Sequence, residues 1–262
     1  MTIQSRAQIA AATLSFLEQR YYPHQGQRVS LDFDPTSRFY PGTSPVEENM
    51  ERDPQVTTVF SVDNETTLRA TRRLQAIYGR VLALNFASAK RPGGGFLTGA
   101  AAQEESLARS SALYLYIRKS HFYQEHPNAL YSHNAIYSPD VPVFRNDYGD
   151  LLDQPYPCSF ITCAAVNYGA LPEHLLPQVR PVMQERITRI LDIAAANHHK
   201  VLVLGAFGCG VFRNDPFMVA ELFANALTKY RNFFDHAHFA VLDHGLCLEA
   251  FTRIFGGCSV KS

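Results

Sequence analysis

Residues 81 to 86 read VLALNF, an apolar run that predicts a buried strand, and soon after it come three glycines in succession, Gly93, Gly94 and Gly95. Three adjacent glycines cost conformational entropy, which a chain bears where backbone must take positive φ or lie against a ligand. This loop falls beyond the carboxyl end of the strand, where open α/β sheets bind ligands. Its successive N–H groups can form an anion-binding concavity. Gln103, Glu104 and Glu105 then precede a helical pattern through Leu107, Leu113, Leu115 and Ile117. A helix dipole favours negative charge at its N-terminus, so the two carboxylates read either as supports of a helix start or as catalytic groups. Adjacent residues point in different directions, which allows one carboxylate to bind hydroxyls while the other moves a proton.

The rest of the chain alternates strand and helix. Strands are expected at 56–62, 81–86, 159–166, 201–204 and 239–242, and helices at 65–78, from about 105, at 177–197, 216–230 and 247–255. Such alternation predicts an α/β fold of βαβ type. Residues 134–156 hold two short apolar runs among Pro, Asp and Asn and read as a hairpin or a long loop. Residues 7–17 predict an N-terminal helix, followed to about Asn49 by an irregular segment rich in Tyr, Pro and Gly. The expected division is an N-terminal extension, 1–54, packed on a catalytic domain, 55–262.

Composition narrows the classes of function. A chain of 262 residues can bury the core of one large domain, and no apolar run approaches the ~20 residues of a membrane span. The first residues lack the long apolar stretch of a signal peptide, so a cytoplasmic location is expected. Five cysteines, Cys158, Cys163, Cys209, Cys247 and Cys258, are scattered and odd in number, which predicts reduced thiols with no disulfide framework and no zinc site. Lys and Arg number 24 against 24 Asp and Glu, so no broad cationic field exists to grip a nucleic-acid backbone. Direct nucleic-acid binding is not expected; a nucleotide or polymer ligand would be held in a pocket, by a monomer.

A second glycine cluster, GAFGCGVFRN from 205 to 214, follows the strand at 201–204 and precedes a helix opening Asp215-Pro216. It reads either as a cradle for a diphosphate or as a tight turn. Its order is neither the dinucleotide-fold nor the P-loop pattern. With the first loop it would form a cleft able to hold a ligand from two sides. Asn85 could reach a ribose or serve a turn. Asp243-His244-Gly245 reads as a turn rather than half of a hydrolytic triad, His198-His199 as a solvated helix end, and Phe207 and Phe212 as core or as a ligand platform.

The triple glycine, the short spacer and QEE at 103–105, together with NFASAKRPGGGF and GAFGCGVFRN, resemble the signature of poly(ADP-ribose) glycohydrolases of the compact bacterial type. The resemblance extends over most of 55–255, with Lys90-Arg91 a more basic approach to the motif than expected. It implies a macrodomain-like, three-layer α/β/α fold with a mixed central sheet and an N-terminal helical extension. It also implies roles. Glu105 would be the catalytic acid and base, and Glu104 would orient it and bind ribose hydroxyls. Gly93, Gly94 and Gly95 would lie against the scissile ribose and phosphate. Gly208, Cys209, Gly210, Val211 and Phe212 would wrap the diphosphate, with Phe212 placing the distal ribose; Asn85 and Gln103 complete the expected binding set.

Hydrolysis of the ribose–ribose O-glycosidic bond requires a proton on the leaving oxygen, which Glu105 would supply before activating water. A neighbouring carboxylate, the substrate diphosphate and burial would each favour its protonated form. No metal or cofactor is implied. The expected partners are poly(ADP-ribose), ADP-ribose and poly(ADP-ribosyl)ated proteins, in the setting of the DNA damage response. Two other readings share the cleft: a macrodomain that binds ADP-ribose without cleaving it, and a hydrolase of ADP-ribose attached directly to protein or nucleic acid. The QEE argues against the first.

Overall fold

A computed structural model describes residues 1–47, 52–124 and 126–256; Asn49 and Cys258 lie outside them. The chain runs α1 (Ile3–Gln19), β1 (Tyr21–His24), β2 (Gln27–Ser30), β3 (Arg38–Tyr40), β4 (Val59–Asp63), α2 (Thr67–Tyr78), β5 (Leu82–Phe86), α3 (Gln103–Ser110) and α4 (Leu113–Ile117). It continues through β6 (Ala135–Arg145), β7 (Leu151–Cys163), α5 (Val179–Ala196), β8 (Val201–Leu204), α6 (Pro216–Leu227), β9 (His236–Ala240) and α7 (Leu246–Phe255). Seven strands form one mixed sheet in the order β3-β6-β7-β5-β8-β9-β4, and β1 pairs with β2 apart from it.

Side chains two apart on a strand face the same way, and this sorts the core into halves. Leu82, Leu84, Ile161, Cys163, Leu202 and Leu204 face α5, α6 and α7, whereas Ala83, Cys158, Phe160, Val201 and Val203 face α2, α3 and α4. A sheet apolar on both faces requires helices on both, hence three layers. Asp215 accepts a hydrogen bond from the Met218 N–H and Pro216 takes the first position of α6, so the second glycine loop ends in a well-capped helix.

β5, β7, β8, β9 and β4 are mutually parallel. Their carboxyl ends therefore open on one edge of the sheet, and both glycine loops leave from that edge. The N-terminal segment joins the same sheet, since β3 pairs antiparallel with β6.

Three expectations change in detail. The helix expected from Glu105 breaks at Ser111, which is extended and bridges to Val143, so α3 and α4 are separate. Residues 134–156 are the hairpin of the two alternatives, not the long loop: β6 and β7 are long antiparallel strands joined by a turn at 146–150, and the strand expected at 159–166 is the end of β7. The Pro and Asp residues that signalled a loop are absorbed by irregular register between Ser138 and Val141, where Asp140 takes φ 46°. His199 is fully buried rather than solvated; its Nε2 meets the Tyr137 hydroxyl at 2.9 Å, and burial drives its pKa down to about 3.

Candidate active site

The spacer after the glycines turns the chain back so that α3 begins directly beneath the first loop. Gln103 fixes this arrangement. Its Nε2 donates to the Leu84 carbonyl at 2.7 Å and to Thr67 Oγ1 at 3.1 Å, while its Oε1 accepts from the Phe86 N–H at 2.9 Å. One amide thus ties the start of α3 to the end of β5 and to the start of α2.

Glu104 then points into the protein and is 2% exposed. Its carboxylate accepts from the N–H of Ser88 at 2.6 Å, from that of Gly93 at 3.2 Å and from Asn85 Nδ2 at 3.5 Å. Glu105 faces the other way along the loop, with Oε1 accepting from the Gly95 N–H at 2.9 Å. Gly93 and Gly94 have φ of 69° and 59°. These left-handed conformations suit glycine and turn successive amides toward the carboxylates. The loop and the acidic pair form one unit, and the body nearest a side chain placed at Gly94 would be Glu105 itself.

Burial, opposed by the Ser88 N–H and reinforced by the Glu105 charge, raises the Glu104 pKa to about 8. This gives a pH prediction. The unfolded carboxyl ionises near its ordinary 4.5 and the folded one near 8, so between these values the folded state keeps a proton that the unfolded state has released. Stability therefore declines as pH rises through that window and levels off above it. In Glu104→Gln this contribution is gone, and the stability of the parent protein relative to the variant should fall steadily from pH 4.5 to about 8 in urea titrations. A difference that stays constant with pH would contradict the assignment.

Beside this unit lies a cavity of about 570 Å³ at the carboxyl ends of the parallel strands. Gly208, Gly210, Val211 and Phe212 form one side, Ala165 and Leu242 lie at neighbouring strand ends, and Gln103 and Ser106 of α3 form part of the opposite wall. The second loop thus lines the cavity, as do Gln103 and Ser106 on either side of the acidic pair, while Gly93 to Gly95, Glu104 and Glu105 are folded against each other and are not among its lining residues. Gly208 has φ 76°, and a Cβ there would stand 2.4 Å from the Ala165 Cβ and 2.7 Å from Asn214 Nδ2. Asn214 holds the loop from below, donating to the carbonyls of Val166 at 2.7 Å and Gly208 at 2.9 Å. Phe212 sits 5.9 Å from the Tyr131 ring, and Phe207 is fully buried against Phe86.

Several lining residues had no place in the sequence reading. Glu65, Thr66 and Thr67 line the cavity, and so does Asp147, which accepts from Thr66 Oγ1 at 2.8 Å. Their position just after β4, another parallel strand end, is the signal that would have found the first three. Asp147 reaches the cavity from the turn between β6 and β7, which no local pattern marks. Asp63, Glu65 and His238 bring potential metal-ligating atoms within 4.8 Å of one another. The Arg73 guanidinium already bridges Asp63 and Glu65 and supplies the positive charge there.

The family described as "Microbial-type PARG, catalytic domain" matches residues 10–146. The chain belongs to the microbial-type poly(ADP-ribose) glycohydrolase family. The poly(ADP-ribose) glycohydrolase of Thermomonospora curvata is 40% identical, with a TM-score of 0.86 over 96% of this chain and 100% of that one. The same protein bound to the inhibitor ADP-HPD gives 39% identity and a TM-score of 0.85 over 95% of this chain and 99% of that one. The Deinococcus radiodurans glycohydrolase in complex with ADP-ribose gives 42% and 0.79, covering 85% of this chain and 95% of that one. A comparison with curated proteins finds no match. The mixed seven-stranded sheet between helices is the macrodomain-like fold of this family. Among the described residues no helix is long and apolar enough to cross a membrane.

Proposed function

We propose that the protein hydrolyses ribose–ribose O-glycosidic bonds of poly(ADP-ribose), releasing ADP-ribose mainly from chain ends, with Glu105 as general acid and then general base. The observation that carries this reading is the pair of carboxylates gathered under the triple-glycine loop by backbone N–H groups, next in the chain to Gln103 and Ser106, which line one cavity with the second glycine loop. In the reaction Glu105 protonates the leaving ribose oxygen as an oxocarbenium-like centre develops, then takes a proton from the attacking water. Glu104, buried and held by three donors, orients Glu105 and meets ribose hydroxyls. Gly93, Gly94 and Gly95 approach the scissile ribose. Gly208 to Phe212 wrap the diphosphate, and Phe212 places the distal ribose.

The N-terminal extension, residues 1–54, acts with the catalytic domain, 55–262, to favour chain ends. Arg6 Nε donates to the Gly99 carbonyl at 2.6 Å and Thr13 Oγ1 to the Arg109 carbonyl at 2.7 Å. α1 thus bears on the spacer and on the helix that carry Glu105, which supports a cleft closed to chain continuing past the distal ribose. Poly(ADP-ribosyl)ated proteins are the substrates we assign, in the DNA damage response, to a cytoplasmic monomer that does not grip nucleic acid; balanced charge supports the last point. Time-resolved sizing of products tests the mode of attack. Single ADP-ribose units should dominate from the earliest times, with the ADP-ribose attached to protein largely spared. Oligomers as the main early product would show internal cutting and refute the closed cleft.

A further inference from the structure

Lys90 and Arg91, the basic approach to the triple glycine, stand on the hydrogen-bonded turn that also holds the acidic pair. The Ser88 N–H donates to Glu104 Oε2 at 2.6 Å, and Ser88 Oγ accepts from the N–H groups of Lys90 at 3.3 Å and Arg91 at 3.1 Å. The Arg91 carbonyl accepts in turn from the Gly94 N–H at 2.9 Å. The backbone of the two cations is thus fixed relative to the carboxylates, while both residues are exposed. Among the described residues, neither side chain has a hydrogen-bond or ion-pair partner. Other arginines of this region are engaged: Arg6 Nε holds the Gly99 carbonyl and Arg109 Nη1 the Ala100 carbonyl, each at 2.6 Å.

A row of rings joins this turn to the second glycine loop. His126 Nε2 meets the Ala89 carbonyl at 3.2 Å, the His126 ring lies 5.2 Å from that of Tyr131, and Tyr131 lies 5.9 Å from Phe212, which lines the cavity. Lys90 and Arg91 therefore stand at the far end of a line of side chains that starts at the cavity. The cavity itself offers a polyanion little positive charge. Glu65, Asp147 and Asp243 line it, and among its described lining residues Arg109 alone is cationic, buried and tied to Ala100.

We propose that Lys90 and Arg91 bind the diphosphate of the ADP-ribose unit on the leaving side of the bond that is cut. This rests on the function proposed above, in which the terminal unit fills the cavity and the scissile bond lies at Glu105. The unit that leaves then starts at the acidic pair, outside the cavity, and its diphosphate is the strongly charged group it carries. An ammonium and a guanidinium on consecutive residues suit two phosphates: the guanidinium forks onto phosphate oxygens, and the ammonium acts as a mobile point charge. Carboxylates at the cleavage site repel a polyanion, and cations on the adjoining turn offset that repulsion. Free ADP-ribose has no leaving unit and gains nothing from them. The pair thus favours polymer over the released product.

The test measures, by calorimetry, binding of ADP-ribose and of its two-unit oligomer, the shortest ligand with a leaving unit, to Glu105→Gln, in which cleavage is prevented. Adding Lys90→Gln and Arg91→Gln should weaken oligomer binding ~3–10-fold, the order of two exposed charge contacts, and leave that of ADP-ribose within about twofold. The loss should shrink in ~1 M salt, where the screening length falls to ~3 Å. Arg231→Gln with Arg253→Gln removes the same charge at exposed positions before β9 and late in α7, and should change neither affinity. In turnover, Lys90→Gln with Arg91→Gln should raise KM for poly(ADP-ribose) and leave kcat nearly unchanged. The proposal is overturned if the Lys90 and Arg91 changes leave oligomer affinity within about twofold, if they weaken ADP-ribose equally, or if the Arg231 and Arg253 changes weaken the oligomer as much. A parent protein that binds the oligomer but releases no ADP-ribose from polymer would instead overturn the hydrolytic reading, and the binding comparison would still decide the contact.

Discussion

Glu105→Gln is expected to abolish hydrolysis of poly(ADP-ribose) while leaving ADP-ribose binding largely intact. The amide keeps the shape of the side chain and still offers an Oε1 to the Gly95 N–H, so the loop that rests on it should hold. What the amide lacks is a proton to give to the leaving oxygen and a basic site to receive one from water. General acid–base catalysis contributes typically ~10² to 10⁴-fold, and a loss of this order is expected in kcat with little change in the dissociation constant of ADP-ribose. A loss below about tenfold would reject Glu105 as the proton-transferring group. If Glu104→Gln proved the more damaging change, the roles of the two carboxylates would be reversed.

Gly94→Val should be nearly as harmful to turnover, and for a reason internal to the protein. A Cβ at this position would stand 2.2 Å from Glu105 Oε1 and 3.3 Å from Glu104 Oε2. A carboxylate at the end of a flexible side chain yields more readily than packed backbone, so Glu105 is the group displaced. Misplacing a reacting group by about 1 Å costs on the order of 10²-fold in rate. The φ of 59° adds roughly 1–2 kcal/mol of strain for a residue with a side chain, which thermal melting should register. The same substituent occupies space beside the ligand, so calorimetry should also show weaker ADP-ribose binding. A folded Gly94→Val protein with normal kcat and affinity would show that the loop is only a turn.

The parts of this fold that were legible in the sequence are those governed by short-range pattern. Strand β5, strand β8 and the long helix α5 announce themselves through apolar runs and helical spacing, because burial on both sheet faces leaves little room for polar residues. Strands β6 and β7 showed only as a choice between hairpin and loop, since Pro142 faces Pro157 across the ladder and Asp140 occupies an irregular turn of register, which imitate a loop. Ser111 broke a helix that spacing alone would continue, because a tertiary partner, Val143, claims its backbone.

Local legibility also divides the site. The two glycine loops and the acidic pair lie within short stretches of chain. Glu65 and Thr67 enter by way of another strand end, and Asp147 by the β6–β7 turn, so only the assembled sheet brings them to the cavity. Gln103 shows a second limit. Adjacent to the carboxylates, it reads as a ligand contact and it does line the cavity, but its amide is also engaged with Leu84, Phe86 and Thr67, a role in setting where α3 begins that adjacency does not reveal.

The most direct measurement of the central claim is the release of free ADP-ribose from two substrates side by side, defined poly(ADP-ribose) and a mono-ADP-ribosylated protein, by the parent protein and by Glu105→Gln. Rapid release from the polymer by the parent, little from the mono-modified protein, and almost none from either by Glu105→Gln is the predicted result. Binding of ADP-ribose without release from the polymer, or release from the mono-modified protein in preference to the polymer, would contradict it.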